Sequence, residues 1–394
     1  DFCLSRGLGD VYKRQVHMLE NIPQGEAKMP HSINGKGNTS CRSIYWWTSG
    51  FFPGILWYIN EYTGDKTFES FAKKWTEKLE PVKTFKGNHD IGFMMYCSFG
   101  NAYRLTQNEK YKDILIQSAY SLATRFNPQV GTIKSWDSWR SWENKHVFKY
   151  PVIIDNMMNL ELLFWASKAT GDPSFRNIAI SHAEKTMKYQ IRKDGSSYHL
   201  ACYDPETGNF IKGETSQGYS NESTWSRGQG WGIYGFTLCY RETKDPRFLK
   251  TAQRMADYYI NHPNLPSDKI PWWDFDTHRP GFIPGKFSKT NKYIQNYRDA
   301  SAASVTASAL LELSSYVKDD KKKIYTETAL QILTSLSSPE YRAEEGKNGN
   351  FILKHSTGAI PHGSEVDVPL IYADYYFLEA LLRYNRMINN KPIL

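Results

Sequence analysis

Several things are scarce in this 394-residue chain, and each scarcity removes a class of protein. There are five cysteines, Cys3, Cys41, Cys97, Cys202 and Cys239, an odd number with no close pair. That argues against a disulfide framework and against a zinc site, and no metal or other cofactor is expected. No apolar run approaches the ~18–20 uninterrupted residues of a membrane-spanning helix, so no membrane span is expected. The net charge of +8 is dispersed, with Lys321-Lys322-Lys323 the densest run. A nucleic-acid binder would gather its charge in one stripe, so no nucleic-acid partner is expected. His-Glu-x-x-His, Gly-x-Ser-x-Gly, phosphate-loop and EF-hand patterns are missing, which removes the metalloprotease, serine-hydrolase and kinase readings.

What the chain has in quantity is aromatic residues, 15% of the total with 12 Trp and 26 Tyr. Flat rings stack on sugar faces, but most of these suit the interior of a large core. A weak internal repeat organises the rest. The turns YTGDKTF (62–68), LTQNEKY (105–111), ATGDPSF (169–175) and ETKDPRF (242–248) each place Asp or Asn three residues before Phe or Tyr. VKDDKKKIY (317–325) is a degenerate fifth. Each reads as a helix end, a short turn capped by Asp or Asn, and a new helix.

Each turn follows a small-residue-rich apolar segment, near 50–62, 90–105, 155–169, 228–242 and 299–316, and a sixth such segment lies near 367–385. The segments after the turns, such as 68–79 and 175–189, are amphipathic. With one further helix near 11–21, twelve helices alternate. The simplest closed arrangement is an all-α (α/α)6 barrel of six helical hairpins; a solenoid of the same hairpins is the alternative. Residues 1–15, DFCLSRGLGDVYKRQ, resemble translated adapter sequence and are set aside, leaving 16–394 as a single α/α barrel catalytic domain. Any native leader would then lie outside this sequence, and the compartment stays open between periplasm and cytoplasm. No obligate protein partner is evident.

In such a barrel the N-terminal ends of all inner helices share one face. The connections before them carry Trp46-Trp47, Asn88-His89-Asp90, SWDSWRSW (135–142), SSYH (196–199), TSQGY (215–219) and PWWDFD (271–276). Loops on one face of a rigid scaffold are where sites are built. Asp90 and Asp155 each open an apolar inner segment. Helix capping alone would justify an Asp there, but two carboxylates sharing one cleft suit general acid/base chemistry on a sugar. Gly230-Trp-Gly232-Ile-Tyr-Gly235 has a dinucleotide-like spacing without a preceding strand, so helix packing is the better reading. Arg227 and Gln229 before it could grip a substrate carboxylate. Trp47, Trp136 and Trp231 could be stacking platforms if they share one rim. His199 taken alone reads as structural.

Together these segments resemble the unsaturated glucuronyl hydrolases, glycoside hydrolase family 88. The resemblance runs from about residue 40 to 385, through WWTSGFFPGILWYINEYTGD (46–65), NHDIGF (88–93), IIDNMMNLELLFWA (153–166), SSYHLACYDPETG (196–208), TWSRGQGWGIYGF (224–236), RDASAAS (298–304) and ADYYFLEALLR (373–383). It implies the six-hairpin barrel and removal of a Δ4,5-unsaturated uronic acid from the non-reducing end of lyase-generated oligosaccharides. It also implies that Asp155 is the general acid/base and Asp90 its assisting carboxylate. Trp47, His89, Trp136, His199, Gln217, Arg227 and Trp231 match substrate-lining positions of the family. Ser49 departs from the Asp that many relatives carry, which bears on hydrogen bonding near the entrance. Some relatives favour sulfated substrates through Ser-x-x-Ser-x-Lys; HSTGAIPHGSEVDV (355–368) keeps Ser356 without that pattern and leaves the preference open. A glycosaminoglycan-derived oligosaccharide is the expected substrate. Pectin fragments cleaved by the related rhamnogalacturonyl hydrolases, or a non-catalytic glycan-binding barrel, are the alternatives. Sugar 2-epimerases use similar barrels with paired histidines, which the Asp90/Asp155 pair disfavours.

Overall fold

The computed structural model describes residues 28–393 together with Arg14 and Met18. Helix α1 (Phe51–Thr63) turns into α2 (Lys66–Glu77). Next, α3 (Ile91–Met95), a π turn (Tyr96–Gly100) and α4 (Asn101–Thr106) lead into α5 (Glu109–Ala123). A 3-10 turn (Ile154–Asn159) and α6 (Leu160–Thr170) lead into α7 (Pro173–Tyr189). Then come α8 (Ser226–Thr243) with α9 (Pro246–Asn261), α10 (Ala300–Ser314) with α11 (Asp319–Ser337), and finally α12 (Ile371–Ile388). The expected helix near 11–21 lies outside the described residues except for Arg14 and Met18, and so does the leader boundary. No helix among the described residues is long and apolar enough to cross a membrane.

The turns form as their chemistry dictates. Asp65, Asn108, Asp172 and Asp245 each accept the backbone N–H two residues on, from Thr67, Lys110, Ser174 and Arg247, at 2.7–3.0 Å. The residue before each cap is left-handed: Gly64, Gln107, Gly171 and Lys244. A threonine precedes that residue every time, and its Oγ1 bonds back to the carbonyl four residues earlier. The degenerate fifth turn has lost this chemistry: Lys318 caps α11 without a side-chain bond.

Inner helices pack on their neighbours in chain order, α8 on α10 and α10 on α12, and α12 packs back on α1. That last contact closes the ring and decides for the barrel over the solenoid. Small residues permit the close approach. A Cβ on Gly235 would stand 2.4 Å from Met157 Cβ, and one on Gly230 2.7 Å from Val305 Cγ1. Gly230, Gly232 and Gly235 are therefore helix-packing residues inside α8, as the missing strand predicts.

Short antiparallel strands occupy the connections, a feature the helical periodicity does not signal. They are β1 (Lys28–Ile33) with β2 (Thr39–Ser43), β3 (Phe126–Asn127) with β4 (Thr132–Ile133), and β5 (Trp139–Arg140) with β6 (Val147–Phe148). A three-stranded sheet joins β7 (Tyr150–Ile153), β8 (Leu200–Tyr203) and β9 (Phe210–Glu214). Its register pairs Ile153 with Leu200 and Leu200 with Glu214. This sheet carries the chain into the 3-10 turn and aligns residue 155 beside residue 199.

Candidate active site

Asp90 stands at the N-terminal end of α3, yet its side chain makes no capping bond. Its backbone N–H is instead taken by Asn88 Oδ1 at 2.9 Å. Asp155, in the first turn of the 3-10 segment, has a buried Oδ2 with no hydrogen-bond partner. Asp299 is the contrast: at the start of α10 it caps Ser301 and Ala302 N–H and binds Arg227. Capping therefore accounts for Asp299 and leaves Asp90 and Asp155 unspent. Asn159 ties their two helix starts together by accepting the Phe93 N–H at 2.8 Å. A Cβ on Gly92 would lie 2.4 Å from Asn159 Oδ1, so glycine is what lets these segments meet.

Both carboxyls face one open cavity of about 460 Å³. Asp90 is 8% exposed and Asp155 7%. Burial pushes Asp90 up to about 7, against a lowering by the Arg125 charge. Burial likewise raises Asp155 to about 7, with Arg227 opposing and the neighbouring Asp90 adding to the rise. Asp274 and Asp374 are pushed equally high, but they accept backbone N–H groups from Tyr219 and Asp276, and from Ile352 and Leu353. Neither lines the cavity. Geometry, rather than titration, separates the acid pair from structural aspartates.

Two histidines back the pair with opposite polarity. His89 Nδ1 sits 3.2 Å from the Ser135 carbonyl and must donate to it, so Nε2 presents a lone pair 3.2 Å from Asp90 Oδ1. His199 Nδ1 accepts from the N–H groups of Ser216 (2.9 Å) and Gln217 (3.2 Å), so Nε2 carries the hydrogen, 3.7 Å from Asp155 Oδ2. Desolvation holds both rings neutral, His89 at about 3 and His199 well below the ordinary histidine value. The sheet register sets the second contact, since Ile154 N–H bonds the His199 carbonyl at 2.9 Å.

Of the residues expected at the site, Trp47, Trp136 and Gln217 line the cavity with the two aspartates. His89, His199, Arg227 and Trp231 stand behind its wall. Trp231 is fully buried between Phe93 and Tyr376 rather than on a rim, and its indole N–H favours the ionised form of Asp155. Arg227 binds Asp299 at 2.7 Å and the carbonyls of Thr357 (2.5 Å) and Gly358 (2.7 Å), pinning the 357–365 loop to the barrel. Gln229 does not reach the cavity, because it is spent on the Gly195 and Met255 carbonyls and Ser197 Oγ. Ser49 is fully buried, so its departure bears on packing and not on the entrance. The 271–276 connection also stays off the lining.

Sequence reasoning missed Ser138, Trp139, Ser216, His362, Ser364 and Glu365, which complete the wall. Ser138 and Trp139 lie in the 135–142 connection and Ser216 in the 215–219 connection, both on the face expected to bear the site, whereas the 355–368 stretch bears only on sulfate preference. Nothing local signals that this stretch folds back over residues 216–227.

Residues 13–240 match the family model Glycosyl Hydrolase Family 88. An unsaturated glucuronyl hydrolase of Formosa agariphila is 46% identical over 378 residues, covering 95% of this chain and 89% of its own. Another, from Bacillus sp., is 34% identical over 372 residues, covering 93% of each. A crystal structure of an unsaturated glucuronyl hydrolase specific for heparin superposes with a TM-score of 0.87 at 45% identity, covering 97% of each chain.

Proposed function

The chain belongs to glycosyl hydrolase family 88, and we propose that it removes the Δ4,5-unsaturated uronic acid from the non-reducing end of lyase-generated, glycosaminoglycan-derived oligosaccharides. It is a glycosidase of the unsaturated glucuronyl hydrolase class. The observation that carries the assignment of roles is the pair of carboxyls, Asp90 and Asp155, left free of capping and facing one cavity.

Asp155 serves as general acid/base and Asp90 as its assistant. At about 7, each carboxyl holds a proton over part of the neutral range. The bound uronate adds a negative charge, which raises neighbouring carboxyls further and favours the acid form. Asp155 gives its proton to C4 of the vinyl ether, and the ring oxygen shares the positive charge that develops at C5. The resulting Asp155 carboxylate faces the His199 Nε2–H and then draws a proton from the water that attacks C5. The hemiketal opens and the glycosidic bond is lost without attack at C1. Asp90, beside the His89 lone pair, keeps its proton and spares the site a second negative charge. Trp47, Trp136 and Gln217 contact the sugar; His89, His199 and Trp231 set the electrostatic surroundings of the carboxyls. Arg227 carries positive charge toward the uronate from behind the wall.

The test is loss of the unsaturated uronate's ultraviolet absorbance across chondroitin, hyaluronan, heparin, ulvan and pectin lyase products. Turnover of glycosaminoglycan products is expected. Turnover confined to pectin products would move the assignment to the rhamnogalacturonyl class, and turnover of none would favour a glycan-binding barrel.

A further inference from the structure

The barrel holds a second cavity of about 430 Å³, at the end away from the acid pair. Its wall comes from α4 (Tyr103, Arg104), the second half of α8 (Tyr234, Arg241) and the middle of α12 (Tyr376, Glu379). The cavity of Asp90 and Asp155 is built instead from the connections before the inner helices. An aromatic layer separates the two. Phe93 packs on Trp47 at 5.6 Å and on Trp231 at 5.3 Å, and Trp231 packs on Tyr376 at 5.3 Å. The π turn, a geometry common at functional sites, brings Tyr96 and Cys97 to the wall of the second cavity. A Cβ on Gly100 would stand 3.0 Å from the Tyr96 ring, so glycine lets that ring lie against the backbone. Tyr96 then meets Trp165 at 6.4 Å, and Trp165 meets Tyr103 edge-on at 5.6 Å.

The charged groups of this wall cancel. Glu161, Glu242 and Glu379 stand against Arg104, Arg241 and Arg383. Arg241 holds Glu161 and Glu312, Arg383 holds Glu312 at 3.1 Å, and Arg104 holds Glu61 at 2.6 Å. An ion entering here would unbalance these buried pairs at a cost that its own attraction must repay. The inner hydroxyls are spent too: Tyr58 donates to Glu379 at 2.9 Å and Tyr234 donates to it at 3.1 Å. What faces a ligand is the ring wall, the Tyr96 hydroxyl, and the edges of Glu161 and Arg104, whose side chains are 21% and 33% exposed. Rings that suit an apolar face, edged by polar groups that suit hydroxyls, complement a small neutral sugar, and the volume is that of an ordinary ligand site. We infer that this cavity is a second binding site, for a neutral pyranose, with Tyr96 and Trp165 as its contact residues. Binding here does not depend on the proposed hydrolysis, so either can fail alone.

The test is ligand-detected NMR of glucose, galactose and N-acetylglucosamine against the full chain, with Kd read from titration. Saturable binding of at least one of these sugars is expected. Tyr96→Phe, which removes a single oxygen, should weaken it about threefold to tenfold, the scale of one hydrogen bond. Trp165→Leu should weaken it at least as much; should that variant fail to fold, Tyr96→Phe alone decides. Trp136→Ala, in the cavity of the acid pair, should leave the Kd unchanged. Glucuronate, titrated into the Trp136→Ala protein, should bind at least about tenfold more weakly than glucose, because the wall has no unpaired cation for it. Absence of saturable binding by all of these sugars overturns the site. Binding that Tyr96→Phe and Trp165→Leu leave at the wild-type Kd, or that Trp136→Ala abolishes, overturns its location. Equal affinity for glucuronate and glucose overturns the neutral class.

Discussion

His199 turns its Nε2–H toward Asp155, 3.7 Å from Oδ2, because two backbone N–H groups occupy its other ring nitrogen. A donor aimed at a carboxylate favours the ionised form. Removing it in His199→Ala should raise the apparent pKa of Asp155 and move the alkaline limb of kcat/KM to higher pH. It should also lower kcat about tenfold to a hundredfold, since the anion formed by proton delivery loses its partner. A pH–rate profile with an unmoved alkaline limb would count against this reading of the ring.

Asp155→Asn should nearly abolish turnover, by at least about a thousandfold, while leaving the fold and substrate binding in place. The amide keeps the shape and cannot transfer the proton. Calorimetric titration with an unsaturated disaccharide alongside the rate assay separates the two effects, and near-wild-type turnover would sink the assignment.

The raised carboxyls make a stability prediction with a definite sign. Asp90 and Asp155 sit at about 7 in the folded chain against an ordinary 3.8. The folded state therefore binds these protons more tightly than the unfolded state. Their contribution is fully present below the unfolded value and is lost as pH rises through the folded one. Asp90→Asn and Asp155→Asn should each melt several degrees above the wild-type protein at pH 8, with the gap closing as pH falls toward 4. Thermal melts at a series of pH values check this, and a gap that widens on acidification would reverse the sign.

Arg227 was legible as a candidate carboxylate grip, but its bonds run to Asp299 and to the loop carbonyls of residues 357 and 358. Removing one partner of a buried ion pair leaves the other uncompensated, at a cost of about 3–5 kcal/mol. Arg227→Ala should therefore destabilise the fold by that order and loosen the 357–365 loop, while Arg227→Lys keeps the charge and restores part of the stability. Melting temperatures and proteolysis within 357–365 test this. A stable Ala variant that loses activity only on substrates with a free carboxylate would return Arg227 to the grip role.

How much of this could be read in advance follows from where the information resides. The caps at Asp65, Asn108, Asp172 and Asp245 were legible because a cap bonds its own neighbour two residues on. The threonine two residues before each cap is an equally local signal that the repeat reading left unused. Gly228–Gly235 announced close packing correctly, since a missing side chain has few other uses in a helix. Trp139, His362 and Glu365 were not legible as a site, because sheet register and loop return bring them to Asp155 from distant parts of the chain. Gln229 misled for a similar reason: its partners at residues 195 and 255 lie 34 and 26 positions away along the chain, outside the local pattern.

The bond chemistry gives the most discriminating test. An ordinary glycosidase places two carboxyls about the anomeric carbon, and one protonates the leaving oxygen. The route proposed here adds a proton to carbon instead, at C4, with the ring oxygen sharing the charge at C5. In heavy water the exchangeable Asp155 proton becomes a deuteron, so the released uronate should carry deuterium at C4 in its earliest detectable product. Later enolisation could exchange the same position, so an early-time spectrum is the one that decides. Proton delivery to carbon should also be slow enough to yield a solvent isotope effect on kcat. A conventional mechanism would place no deuterium at C4 and would cleave saturated glucuronides as readily as unsaturated ones. Those two results together would overturn vinyl-ether hydration while leaving Asp155 free to serve as an ordinary acid.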